Sequence, residues 1–105
     1  MKPIIEHALS LLQATRALKD CVATGELHEL EALQQQRAQL VAALDQESRQ
    51  PLDENSLRQV RPLIEQSRQL EAETVALLEQ QREQTSQEYN KLSARKKARQ
   101  AYGGL

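Results

Sequence analysis

Apolar residues return every three or four positions along three stretches of this chain, and the third stretch is about twice as long as either of the others. That period puts side chains on one face of an α-helix, whereas a half-buried strand would alternate every second residue. The first stripe follows Pro3, a residue well tolerated at the first helical position, through Ile4, Ala8, Leu11, Thr15, Leu18 and Val22. Ile5, Leu9, Leu12 and Cys21 widen it to the breadth a bundle helix needs. Thr24-Gly25 then stops it, glycine being suited to a left-handed C-cap. Leu27, Leu30, Leu33, Arg37, Leu40, Val41 and Leu44 form the second stripe, with Arg37 expected to lay its stem along the seam and carry its head to water. A polar connection from Gln46 to Asp53 carries Pro51, and Asp53 suits the N-cap of a third helix. That helix runs through Leu57, Val60, Leu63, Ile64, Ser67, Leu70, Thr74, Leu77, Leu78, Thr85, Tyr89 and Leu92.

Composition agrees. Aromatic residues are 2% of the chain and Phe and Trp are absent, which starves a strand, while Ala, Leu, Glu, Gln, Arg and Lys lose little entropy in a helix. Three glycines and three prolines are too few to punctuate a sandwich. The expected fold is therefore all-α: an antiparallel three-helix bundle of one domain, 1–105, with helices over about 3–23, 26–47 and 54–99 and a tail over 100–105. Pro62 falls inside the third helix, where it removes a hydrogen bond and predicts a kink near residue 61 or a separate first turn.

The lengths do not match. Two helices of about 20 residues reach roughly 30 Å, and a third of about 40 residues reaches roughly 60 Å, so the first two cover only half of it. The remainder still carries Tyr89, Leu92 and Tyr102, residues a fully solvated helix does not need. A second copy of the chain, a folded-back tail or another protein would cover them.

Little in the sequence points to chemistry. His28 and Glu31 are one helical turn apart, but a di-iron bundle takes two histidines and four glutamates from four helices, and His7 lies near the other end of the paired helix. Cys21 reads as a small core residue, and a lone cysteine suits a reducing compartment. No catalytic triad, phosphate loop or paired-cysteine motif is present, so the chain is expected to be no enzyme, with no cofactor and no metal. Glu6, His7 and Ser10 interrupt the N-terminal apolar run, which excludes a secretory leader or membrane span there and predicts a cytoplasmic protein. The net charge of -1 hides an asymmetry: residues 1–88 hold nine basic and fifteen acidic residues, and residues 89–105 hold five basic and none acidic. Without interleaved aromatics or helix-turn-helix spacing, that cluster reads as a solvated, dipole-complementing helix end rather than a nucleic-acid or membrane site.

Two segments resemble the FliT family of flagellar export chaperones. TGELHELEALQQQRAQLVAAL, residues 24–44, is similar to the family's second helix, which opens on a glycine and an acid and continues with spaced leucines and a basic residue. KLSARKKARQAYGG, residues 91–104, is similar to its basic stretch ending in Ala-Tyr-Gly. The best-known members continue past that point into a short fourth helix, whereas this sequence stops at Leu105. The resemblance implies a cytoplasmic chaperone that holds the C-terminal segment of the flagellar filament-cap protein before export and engages the export ATPase complex. The client is expected to lay an amphipathic helix in a groove between helices two and three. Leu40, Val41 and Leu44 would border it on one side, and Leu70, Thr74, Leu77 and Leu78 on the other, extended by Tyr89, Leu92 and Tyr102. The competing readings are a FlgN-type chaperone for hook-filament junction proteins and a coiled-coil homodimer whose overhangs pair without a client.

Overall fold

A computed structural model describes residues 2–102, with the backbone alone for Tyr102. The fold is all-helical with three α-helices: α1 over Pro3–Thr24, α2 over Leu30–Ser48 and α3 over Glu54–Tyr102. A short 3-10 turn over Leu27–Glu29 precedes α2. Leu27, placed on the second stripe by its spacing, sits in that turn and is exposed. Helix α3 extends through Tyr102, past the expected end at residue 99, and residues 103–105 of the expected tail lie outside the described residues.

The break between α1 and α2 is built on one glycine. Gly25 has φ 77 and ψ 12, and its N–H donates to the Cys21 carbonyl. The N–H of Glu26 reaches the same carbonyl at 3.1 Å, so two donors close the open helix end. The end of α3 nearest the connection is held differently. Asp53 precedes the helix, its carbonyl accepts from the N–H of Leu57 at 3.2 Å, and its carboxylate accepts from the Ser56 hydroxyl and the Lys2 ammonium. Pro62 does not set off a separate first turn, because α3 is helical without a break across it. The carbonyl that loses its partner there belongs to Arg58, four residues back, which is exposed and open to water.

Contacts sort the chain into two units, Met1–Val75 and Ala76–Leu105. In the first, α1 is the centre. Ten of its residues are buried, against Leu44 alone on α2. At 100° per residue the buried positions of α1 cover about 200° of its circumference, which is why both other helices can pack on it. Ile4, Ile5, Ala8 and Leu11 meet Leu44 of α2 and Val60 of α3, with Leu40, Leu63 and Ile64 packed against them at the edge. Pairing along the helices sets their directions. His7 meets Glu47 and Thr15 meets Arg37, so α1 and α2 run in opposite senses. Lys2 meets Asp53 and Lys19 meets Glu73, so α1 and the first part of α3 run in the same sense.

The core is thin enough that hydroxyls enter it. Thr15, Ser67 and Thr74 are buried, and each donates to the carbonyl four residues earlier, Leu11, Leu63 and Leu70, at 2.7, 2.9 and 2.7 Å. That back-bonding satisfies the donor without a partner on another helix. Cys21 is buried in the same face, and its thiol donates to the Glu26 carbonyl.

Two outcomes test these joints. Gly25→Ala is expected to cost about 1 to 2 kcal/mol in urea unfolding, since a Cβ there meets no neighbour and only the left-handed backbone is penalised. The hydrogen bonds from Lys2 and then Ser56 lower the Asp53 pKa from 3.8 to about 2. A depressed carboxylate pKa contributes stability above its unfolded value that is lost on acidification, here between about pH 4 and pH 2. NMR titration of the Asp53 carboxyl should give the low midpoint, and Lys2→Ala should return it toward 3.8.

Candidate partner-binding surface

The Arg37 side chain, 16% exposed, does not carry its head to free water as its place in an apolar stripe suggested. Its Nε donates to the Thr15 hydroxyl oxygen at 3.1 Å, and its terminal nitrogen lies 3.3 Å from the Glu71 carboxylate. One side chain of α2 thus holds α1 and α3 together. It also marks one end of a groove.

The groove has a volume of about 440 Å³ and runs between α2 and the first part of α3, with Ile4 and Leu11 of α1 on its floor. The α2 wall presents Arg37, Val41, Leu44, Asp45 and Ser48, and the α3 wall presents Val60, Ile64, Ser67, Arg68 and Glu71. These walls have the same spacing: first residue, then four, seven, eight and eleven positions on. Because α2 and α3 run oppositely, stepping away from the Arg37–Glu71 pair puts Val41 level with Ser67, Leu44 with Ile64, and Ser48 with Val60. Eleven residues of helix make a wall about 16 Å long, three turns.

The opening has a local cause. Where a large apolar side chain would close the space, the α3 wall has Ser67, whose hydroxyl turns back to its own helix, and the α2 wall has Ser48, whose hydroxyl turns back to the Asp45 carbonyl at 2.7 Å. Leu44 and Val60 supply a buried apolar base, and Val41 stands 49% exposed at the rim. Such a trough binds through shape and apolar contact, with charge only at its edges.

The residues singled out by spacing fall in three places. Val41 and Leu44 line the groove. Leu40 is turned toward the core cluster, Thr74 is buried with its hydroxyl on Leu70, and Leu70 is half-buried on the same helix. Leu77, Leu78, Tyr89 and Leu92 belong to the second unit, where Leu77 is half-buried and the other three are 40%, 71% and 63% exposed. The side chain of Tyr102 lies outside the described residues. Spacing alone passed over Ser48, Ser67, Arg68 and Glu71, although the repeated four, seven, eight, eleven pattern on two antiparallel helices was a usable signal.

The histidines part company. His28 is exposed in the 3-10 turn, 3.8 Å from Glu29, while Nδ1 of His7 lies 2.5 Å from the Glu47 carboxylate and ties α1 to α2. Among the described residues, no group of three or more His, Cys, Asp or Glu is placed to hold a metal ion, and no helix is long and apolar enough to cross a membrane.

A three-helix scaffold with an apolar trough and no chemical constellation fits many small binding proteins, so the comparison with known families decides between them. The model of the family described as flagellar protein FliT matches residues 5–104, nearly the whole chain. The chain belongs to the FliT family. Comparisons with characterised proteins and with solved structures find no match. FliT proteins are flagellar export chaperones, so both helix-2 and C-terminal segments that carried the resemblance fall inside a match that spans all three helices.

The Arg37 bridge gives a prediction of its own. Arg37→Met should destabilise the fold by about 1.5 to 3 kcal/mol, the cost of a lost hydrogen bond to a charged group. Glu71→Gln should stay within about 0.5 kcal/mol, because Glu71 is 55% exposed and water takes the place of its partner. Urea unfolding of both variants separates the two contacts.

Proposed function

We propose that this chain is a cytoplasmic chaperone that binds the C-terminal segment of the flagellar filament-cap protein and delivers it to the flagellar type III export apparatus, where the export ATPase complex receives it. The client supplies an amphipathic helix that lies in the groove between α2 and the first part of α3. Family membership supports the chaperone role, and the groove supports the mode of holding. A trough about three turns long takes a helix that presents anchors at intervals of three and four, one level with Val41 and the next level with Leu44 and Ile64. Seating those anchors removes them from water and blocks the client's own assembly. No bond is made or broken, so release needs only competition at the export apparatus.

Isothermal titration of the native chain with the filament-cap C-terminal peptide should show a one-to-one complex at roughly micromolar concentrations. Val41→Asp should weaken it at least tenfold with unchanged helicity, since Val41 is 49% exposed and its replacement leaves the core intact. Absence of any complex with the native chain would overturn the client assignment, and an unaffected Val41→Asp variant would move the site off the groove.

A further inference from the structure

The second unit, Ala76–Leu105, has a face of its own that the groove does not use. Leu78, Tyr89 and Leu92 are its large exposed apolar side chains. At 100° per residue they fall with Thr85 inside an arc of about 60°, one continuous stripe down the helix. No described side chain from Ala76 onward is buried, so nothing in this unit covers the stripe. Its charges are sorted along the helix as well. Glu79, Glu83 and Glu88 precede Tyr89 with one base, Arg82, among them, whereas Lys91, Arg95, Lys96, Lys97 and Arg99 follow it with no acid.

We propose that this stretch pairs antiparallel with the same stretch of a second copy of the chain. Charge complementarity selects both the occupant and the orientation. In an antiparallel pair the acidic half of each helix lies along the basic half of the other, while a parallel pair would align five bases with five bases. In an antiparallel pair related by a two-fold axis, like flanks also face each other. Glu79, Glu83 and Lys97 share one flank, and Glu88, Lys91 and Arg95 share the other, so each flank brings acid and base together. The midpoint of the apolar stripe and the boundary between acids and bases place the axis between Thr85 and Tyr89. The seam is lean in large side chains and carries Arg82 and Lys96, so the pair is weak and held substantially by charge. This surface is separate from the proposed client groove, and the two can fail independently.

Sedimentation equilibrium of the full chain is expected to show a monomer–dimer equilibrium at low salt that shifts at least tenfold toward monomer near about 1 M salt, where screening is nearly complete. Leu92→Asp, and separately Glu79→Lys with Glu83→Lys and Glu88→Lys, should each weaken the dimer at least tenfold while leaving peptide binding at the groove unchanged. Orientation is read by pulsed EPR in a Cys21→Ala background, with nitroxides at the exposed, uncharged Ser86→Cys or Gln100→Cys. An antiparallel pair puts the labels at 86 within about 20 Å of each other and those at 100 about 40 Å apart, at 1.5 Å per residue on either side of the axis. Short separations at both positions mean a parallel pair and overturn the proposal. So does a chain that stays monomeric at low salt and roughly 100 μM, or one in which Leu92→Asp abolishes client binding, which would give the stripe to the client. The charge-reversal series contains no new cysteine and decides the matter if Cys21→Ala loses helicity.

Discussion

The Arg37 guanidinium donates to the buried Thr15 hydroxyl of α1 and lies 3.3 Å from the Glu71 carboxylate of α3, so one residue of α2 touches both other helices. A charged group at a helix seam is tolerated only when its hydrogen bonds are met, and here one partner is buried and fixed while the other is half in water. Thr15 can serve because its own proton is already committed to the Leu11 carbonyl, leaving a lone pair for Arg37. The consequence is a fixed register between α2 and α3. Every level of the groove, from Val41 with Ser67 to Ser48 with Val60, is counted from that contact.

The same economy runs through the first unit. With no Phe or Trp to fill space, the seams are closed by alanines, branched aliphatics and back-bonded hydroxyls, and α1 is surrounded across more than half its circumference. Helix α2 then packs along a narrow strip and keeps Val41 at the surface. A thin core and an open trough are one property: too little side-chain volume lies between α2 and α3 to close them together. In a FliT-family chain that shortage suits a protein whose work is to lend apolar surface to another helix.

The second unit follows a different rule. Its residues keep helical spacing and carry apolar side chains, yet none of its described side chains is buried, and its acids and bases are sorted by position. Helix propensity and dipole-matched charge support such a segment, and a packed partner on the stripe adds what an isolated helix lacks. Apolar trough and charge-sorted stripe therefore suit different occupants.

Periodicity alone determined that the chain is helical, where its three helices lie to within a few residues, and that Gly25 ends the first. Those properties are local: each depends on residues within one turn of each other, and the signal is written along the chain. It placed Leu40 and Val41 on one stripe and took both for groove residues. The packed structure separates them, since Leu40 faces the core and Val41 the rim, and neighbours in sequence are 100° apart on a helix. Thr74 and Leu70 moved away from the groove in the same way, and Arg37 turned from a snorkelling surface charge into the bridge. Which residues of two helices stand level across a gap depends on direction and register, and these are set by contacts between residues 20 to 50 positions apart, beyond the reach of any pattern read along one helix.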